Sequence, residues 1–397
     1  MQQLPNGQFI FHNAGQGLFY SGKIDGFEFV YDCGSNRKQH LADIVLDYKH
    51  TLSNGKLNLL VLSHLHEDHV SGLYMLFYRN PKTSVERVIL PYLSPMERLI
   101  LAIGAHAPDT GNWDYDLLSD PVQFFIERGV RQITYLGGSE RDQKTENPEN
   151  SDKPDKRDNE QSDRFIDKLK DSFALRKIIL DNEPHLRQFL TGKLQTKSHD
   201  GALIITANSI YWQFRFFNYT VRQETLVPFS ECIKSIINGE KLSEIITNQQ
   251  KRERLRGCYK SLHKTDFNNT SLLVLHGPLP NQGVMPLKRQ AQLLTGDINF
   301  KQHISEISRH FGSSLSDVSF CLIPHHGSKR NWDRAILPHL SRSCMWVVST
   351  GKSNRNQPCP DILRDIKRQG QEYAICNDHS TVTIDVSQGA HVSTVIS

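Results

Sequence analysis

Nowhere in this chain do apolar residues run on for the ~20 positions of a membrane span, so no transmembrane helix and no membrane partner are expected. The opening stretch, MQQLPNGQFIFHNAG, lacks a basic start followed by an apolar core, so no secretory leader is expected either. Paired cysteines are missing too. The seven cysteines, at 33, 232, 258, 321, 344, 359 and 376, include no CxxC, which argues against a thiolate zinc site. An odd, dispersed set predicts reduced thiols and a cytoplasmic protein. A marked charge surplus is absent: +4 over 397 residues permits an anionic substrate without demanding one, and falls short of the usual footprint of a nucleic-acid binder. Large apolar side chains are absent from residues 139–163, SERDQKTENPENSDKPDKRDNEQSD. Such a stretch cannot bury enough surface to offset its ordering entropy, so 139–164 is expected to be a disordered charged loop.

What is present is the composition of a soluble globular protein, 38% hydrophobic and 23% charged, long enough for one large or two ordinary domains. Tyr20 to Ile24 and Phe27 to Tyr31 flank Asp25-Gly26, a hairpin signal. A helix is predicted over 39–49, strands over 59–62, 85–90 and 132–136, and helices over 95–103 and 120–128. After residue 165, ALIITANSIYWQFRFF alternates like strands, and helices are predicted over 229–237 and 242–262, the second containing NQQKRERLR. The last third returns to strands over 271–276, 291–295, 318–323 and 345–349, with helices over 302–310, 332–338 and 360–368.

The chemistry concentrates in LVLSHLHEDHVSG, residues 60–72. A short buried strand ends and three histidines and two acids follow within six positions. Residues i and i+2 of an extended chain face the same way, so His64 and His66 would point into one pocket. Asp68 and His69 stand where a helix begins, since Val70, Leu73, Leu76 and Phe77 recur at helical spacing. The zincin pattern HExxH is absent, because His66 and His69 are three apart. Two adjacent metal ions need further donors, and QLLTGDIN offers Asp297 beyond a strand, while FCLIPHHGS offers His325 and His326 beyond the next.

With these pieces in place, the sequence resembles the metallo-β-lactamase-fold hydrolase superfamily. It looks most like the branch containing the hydrolase domain of bacterial competence DNA-uptake channels and the related phosphorylcholine esterases. The matching pieces are NAGQG, FVYDCGS, LSHLHEDHVSGL, NNTSLLVL, LLTGD, IPHHGSK and VVSTGKSNRNQPCPDIL, mainly within 8–80 and 266–385. The resemblance implies an α/β fold, a four-layer αββα sandwich. Residues 1–138 would form its N-terminal half and 266–397 its C-terminal half, with an insertion for recognition over 165–265.

It further implies two divalent ions, zinc or manganese. His64 and His66 would hold the first; Asp68, His69 and one of the pair His325/His326 would hold the second; Asp297 would bridge them. An extended chain at the pair would let only one of the two ligate. His326 is taken as that ligand and His325 as the group free to hold substrate or pass a proton. Asp32 would orient the ligands from behind. A water shared by the ions, its pKa lowered from ~15.7 to about 7, would attack, with catalysis resting on Asp68, Asp297 and His325. Lys329 or Arg330 would steady a phosphate oxygen.

Three departures stand out. His106, His199, His263 and His276 lie where many relatives carry a third histidine for the first ion, and none has a motif around it. Gln357 stands near a position where the branch carries histidine, and Asn13 where aspartate is usual. The function implied is a phosphodiesterase or nuclease on nucleic acid or a nucleotide-like phosphoester. The alternatives are hydrolysis of a thioester, lactam or phosphocholine ester, or a partner-dependent binding module with structural metals, its protein partner met through 165–265.

Overall fold

The computed structural model describes residues 6–78, 80–104, 113–138, 165–207, 210–219, 226–237, 239–259, 270–279, 290–352, 354, 356–386 and 392–396. The charged loop expected over 139–164 lies outside the described residues, as do His106 and His263.

The chain begins with strands β1 (Gly7–Phe11), β2 (Phe19–Ile24) and β3 (Phe27–Cys33), then helix α1 (Lys38–Thr51) and β4 (Lys56–Val61). Two short helices, α2 (Glu67–Val70) and α3 (Leu73–Tyr78), lead to β5 (Ser84–Pro91). Next come α4 (Pro95–Gly104), α5 (Trp113–Ser119), α6 (Pro121–Glu127), β6 (Gln132–Gly137) and β7 (Phe165–Asp167). The middle of the chain holds α7 (Phe173–Asn182), β8 (Leu194–Ser198), β9 (Leu203–Ala207), β10 (Ile210–Phe217), α8 (Val227–Ile237), α9 (Leu242–Thr247) and α10 (Gln249–Tyr259). The last part has β11 (Leu273–Pro278), β12 (Ala291–Leu294), α11 (Phe300–Phe311), β13 (Val318–Leu322) and β14 (Met345–Ser349). It closes with α12 (Pro360–Arg368), β15 (Glu372–Cys376), β16 (Val382–Val386) and β17 (Val392–Ile396). The β2–β3 hairpin turns on Asp25 and Gly26, both left-handed at φ 46° and 84°, as a two-residue turn requires.

These strands make two sheets. The first runs β17-β16-β1-β2-β3-β4-β5-β6-β8 and the second β15-β14-β13-β12-β11-β10-β9-β7. Alternation along the strands splits their side chains between an inner and an outer face. Phe9, Phe29, Leu59 and Val61 of the first sheet meet Trp212, Phe214 and Leu322 of the second in an all-buried layer between the sheets. Val30, Leu60 and Leu62 face the other way, against Leu41, Val45, Leu73 and Leu99 of the helices. On the far side of the second sheet, Leu293, Cys321 and Trp346 pack against Phe300, Ile307, Ile362 and Ile366. The fold is a four-layer αββα sandwich.

Strands β3, β4, β5, β6 and β8 are mutually parallel, and so are β12 to β15. Their carboxyl ends therefore line up along one edge in each sheet, where loops can bring side chains from different strands together. β10 points the same way as β12, since β11 is antiparallel to both.

Several features differ from the sequence reading. Residues 165–217, placed there in a recognition insertion, are woven into both sheets: β8 edges the first, and β7, β9 and β10 extend the second. Trp212, within that expected insertion, is fully buried between the sheets, with its Nε1 donating to His276 Nδ1 at 3.3 Å. Conversely, β16 and β17 leave the C-terminal half and pair with β1 in the first sheet. What stands apart from the sheets is the helical stretch α8–α10, whose Phe229, Ile233, Ile245 and Leu255 pack on the outer layer beside α4 and α5. The helix expected over 242–262 is broken at Asn248, whose side chain turns back to accept from Lys251 N at 3.1 Å. That is the capping habit that makes asparagine a helix starter rather than a helix interior.

The seven cysteines are not all reduced thiols. Cys232 on α8 and Cys258 on α10 form a disulfide, a pairing set by helix packing and invisible in their separation of 26. The other five are free, four buried and Cys359 partly exposed. Thiol titration of the unreduced protein in denaturant is therefore expected to count five groups, and seven after reduction. A count of seven without reductant would refute the bridge. No helix among the described residues is long and apolar enough to cross a membrane.

Candidate metal centre

At the edge of the sandwich the strand ends converge. Asp32, the last residue but one of β3, has a φ of 55° that swings the chain out of the extended conformation. The carboxylate is fully buried and triply engaged. Oδ1 accepts from Ser63 N at 2.7 Å, and Oδ2 accepts from Ser63 Oγ at 2.6 Å and meets His69 Nδ1 at 2.8 Å. This fixes the His69 ring so that its Nε2 faces the cluster. β4 runs out at Ser63, His64 and His66, and His66 is the residue before α2, with Asp68 and His69 on its single turn. His64 Nδ1 contacts Ser63 Oγ at 2.8 Å and Ser271 Oγ at 3.4 Å, so its Nε2 also faces inward.

Asp297 arrives from the second sheet, two residues past Thr295. Its turn passes so close to β4 that a Cβ on Gly296 would lie 2.8 Å from Ser63 Cβ, and Gly296 has φ 52°, so glycine is required on both counts. Two buried groups hold the backbone of Asp297. Its N–H donates to Ser271 Oγ at 3.2 Å, and its carbonyl accepts from Asn331 Nδ2 at 3.0 Å.

The result is two donor triads, His64–His66–Asp297 and Asp68–His69–His326, each with its ligand atoms within 4.8 Å of one another. They touch at Asp297. Its Oδ1 is 3.3 Å from His69 Nε2, and its Oδ2 is 3.8 Å from His64 Nε2 and 3.7 Å from His325 Nε2. His64 and His66 lie beyond the end of β4, and one ligand atom of each faces the same place.

The His325–His326 pair differs from expectation. Both residues are left-handed, at φ 48° and 54°, not extended. The turn nonetheless separates their roles. His326 is buried, with Nδ1 2.8 Å from the Ser349 carbonyl and Nε2 3.2 Å from Asp68 Oδ2. The His325 side chain is 29% exposed and lies at the rim.

The electrostatics suit a cation. His64 Nε2 is a buried polar atom with no hydrogen-bond partner, a costly arrangement unless something bonds to it, and buried His69 Nε2 faces the Asp297 carboxylate at 3.3 Å. Burial pushes the His69 imidazole down, but Asp297, Asp68 and Asp32 outweigh it and hold it well above the usual histidine range. His326 is raised too, against its burial, by the hydrogen bond to Asp68. Burial raises the Asp297 and Asp68 carboxyls, yet His69 and its neighbours hold both below the usual carboxylate range. His64, by burial and the nearby His69 and His66, is held well below it for a histidine. Burial pushes the Asp32 carboxyl up, and His69 and Ser63 pull it part-way back. Three carboxylates thus face a set of imidazoles, and the donors are all nitrogen and oxygen, as zinc or manganese prefers.

Other sequence candidates fall elsewhere. His276 is buried between the sheets, 2.9 Å from Tyr20 Oη, away from the centre. Lys329 and Arg330 are exposed, and Lys329 Nζ pairs with Asp361 Oδ2 at 2.5 Å. The basic helix α10 is also engaged locally. Lys251 pairs with Glu240 at 2.8 Å, Arg252 lies over the Tyr115 ring at 3.4 Å, and Arg254 donates to Ile236 O at 3.1 Å. Gln357 donates to the His325 carbonyl at 3.2 Å and accepts from Gln16 and Asn354 at 3.0 and 2.6 Å. It braces the histidine turn from behind. The residues the sequence did not single out are Ser63, Ser271, Asn331 and Ser349, which hold the donors. Single serines and asparagines carry no motif.

No protein-family model matches the chain, and no curated protein matches it. Among solved structures it is similar to the metallo-beta-lactamase fold protein YhfI from Bacillus subtilis, at 10% identity and TM-score 0.36. It is also similar to a diphosphatase of the PhnP family, at 8% and 0.34, and to the short form of human tRNase Z, at 9% and 0.37. Each alignment covers 96% of this chain and 100% of the other. Identities and scores this low add nothing to the site beyond its own geometry.

Proposed function

We propose that the chain is a dinuclear metal-dependent hydrolase whose substrate is a phosphodiester, in nucleic acid or a nucleotide-like ester. The observation that carries this reading is the pair of triads meeting at Asp297, with the buried His64 Nε2 left without a hydrogen bond. His64, His66 and Asp297 would hold one divalent ion, and Asp68, His69 and His326 the other, with Asp297 shared. Zinc and manganese both suit the donors. When bound, such ions acidify a water and neutralise charge on a phosphoryl oxygen.

The protein's own residues do the rest. Asp32 and Ser63 fix the His69 ring, and the Ser349 carbonyl fixes His326, so neither ligand must reorganise during turnover. His325, at the rim and braced by Gln357, is placed to hold substrate or pass a proton to a leaving group. The choice of a phosphodiester rests on the likeness of HxHxDH, TGD and PHHGS to phosphoester-cleaving enzymes. Gln357 in place of a histidine favours a second reading, the same centre turned to a thioester, lactam or phosphocholine ester.

The purified protein with zinc or manganese is expected to turn over a bis-aryl phosphodiester, and Asp68→Ala to lose that turnover. Hydrolysis of thioesters or lactams alone would sink the phosphodiester reading in favour of the second.

A further inference from the structure

A third cluster of metal-ligating side chains lies outside the centre just described. β8 ends at Ser198, and the next residues, His199, Asp200 and Gly201, make a tight turn. Asp200 N donates to Ser198 Oγ at 3.2 Å, His199 N donates to the Gly137 carbonyl at 3.2 Å, and Gly201 has φ 106°. A Cβ on Gly201 would lie 2.2 Å from the Lys168 carbonyl, so the turn is locked before any ligand arrives. Opposite it stands His310, in the last turn of α11. The His199 and His310 ring centres are 4.6 Å apart, and both rings pack on Phe217, at 5.2 and 5.4 Å. One ligand atom from each of His199, Asp200 and His310 lies within 4.8 Å of the others.

Both imidazoles are held from outside the cluster. Asn218 Nδ2 donates to the Leu136 carbonyl at 3.1 Å, which fixes the carboxamide and turns Oδ1 towards His199 Nδ1, 3.2 Å away. The Asn218 backbone N–H also donates to His199 Nδ1 at 3.3 Å, so Asn218 holds that side of the ring and Nε2 lies on the other. The His310 ring hydrogen-bonds to the Phe216 backbone, and its Nε2 is buried with no partner. A histidine nitrogen held by an oxygen while its other nitrogen is free is how proteins orient imidazoles on metals. The nearest cations do not fill the place. Arg215 donates to the carbonyls of His310 and Phe311 and to Ser314 Oγ, and Lys170 stands 4.0 Å from Asp200 with 71% of its side chain exposed.

We propose that His199, Asp200 and His310 form a separate binding site for one divalent transition ion of the zinc class. Two imidazoles and a carboxylate are a tridentate set that zinc accepts, with water as the fourth ligand. Tetrahedral donors at zinc bond lengths sit about 3.4 Å apart, and three atoms within 4.8 Å of one another are within reach of one ion. The ion clasps the end of α11 to the turn after β8. Because α11 begins three residues beyond Asp297, the clasp fixes the far end of the helix that follows the catalytic centre. The site shares no residue with that centre and stands whether or not the protein is a phosphodiesterase.

The test uses the full chain, stripped with a chelator and dialysed against buffered zinc, with zinc per chain measured by atomic emission. Wild type is expected to hold one more zinc than His310→Gln, and the same difference of one is expected when both carry Asp297→Ala. Asp200→Asn, in a half-exposed turn, is expected to weaken that ion at least about tenfold, the loss typical of disturbing even an outer partner of a ligand. Zinc is also expected to slow amide exchange over 300–311 in wild type and not in His310→Gln. Equal zinc in wild type and Asp200→Asn across the titration would overturn the proposal, even if His310→Gln failed to fold. So would zinc protection of α11 that survives both substitutions.

Discussion

Asp297→Ala is expected to reduce metal-dependent phosphodiester turnover by about 10³-fold or more, roughly 4 kcal/mol of barrier. The size follows from where the carboxylate stands. Its two oxygens face His69 Nε2 at 3.3 Å and His64 Nε2 at 3.8 Å, one from each triad, so its loss weakens both ion positions together. Metal content is therefore expected to fall by both ions at moderate free metal, whereas His66→Ala should cost only one. The substitution is clean for a structural reason. The backbone of residue 297 is held by Ser271 and Asn331 through main-chain atoms that alanine keeps. A protein that binds two ions and retains turnover without this side chain would refute the assignment of Asp297.

The second large effect belongs to a residue expected to touch no metal. Asp32→Ala is expected to cost about 3–5 kcal/mol of stability, because it strips a fully buried charge network of one member and leaves Ser63 and His69 facing an empty space. A part of that cost, about 1 kcal/mol, comes from alanine at a φ of 55°. Asp32→Asn separates the two, since asparagine tolerates this backbone and keeps one acceptor for Ser63 N. Its amide cannot accept both Ser63 Oγ and His69 Nδ1. Urea denaturation should place it between wild type and alanine, and its metal affinity should fall about 10–100-fold through a loosened His69 ring. Wild-type affinity in Asp32→Asn would mean that Ser63 alone orients the histidine.

Much of this centre was legible in the sequence because its donors are chemically unusual and locally spaced. Three histidines and two acids directly behind an apolar strand have no role in packing, and i, i+2 spacing in an extended chain says which way two of them face. The fold class followed from strands that alternate and helices that intervene. What stayed hidden depends on contacts made across the chain. The alternation of β9 and β10 shows that they are strands but not which sheet takes them. Cys232 and Cys258 lie on helices whose packing alone brings them together. The left-handed backbone of His325 and His326 is imposed by the sharp turn after β13, where an extended reading was the natural one. His199 looked like an unplaced ligand because its partner, His310, is more than a hundred residues away on another element.

The pairing of β1 with β16 carries a consequence for how the protein is made. The sheet that bears His64 through His69 is missing two strands until residues 382–396 have left the ribosome. Until then β1 presents an unpaired edge, the kind of surface that templates aggregation or recruits a chaperone. Its pairing partner is more than 370 residues away, so closure of that sheet is a late, high-contact-order event. Asp297 and His326, which complete the ion positions, also emerge hundreds of residues after His64. A nascent chain therefore displays four strong ligands well before it can hold an ion in the right geometry. On the proposed reading, metal binding would follow folding and act as a final check that both sheets have met.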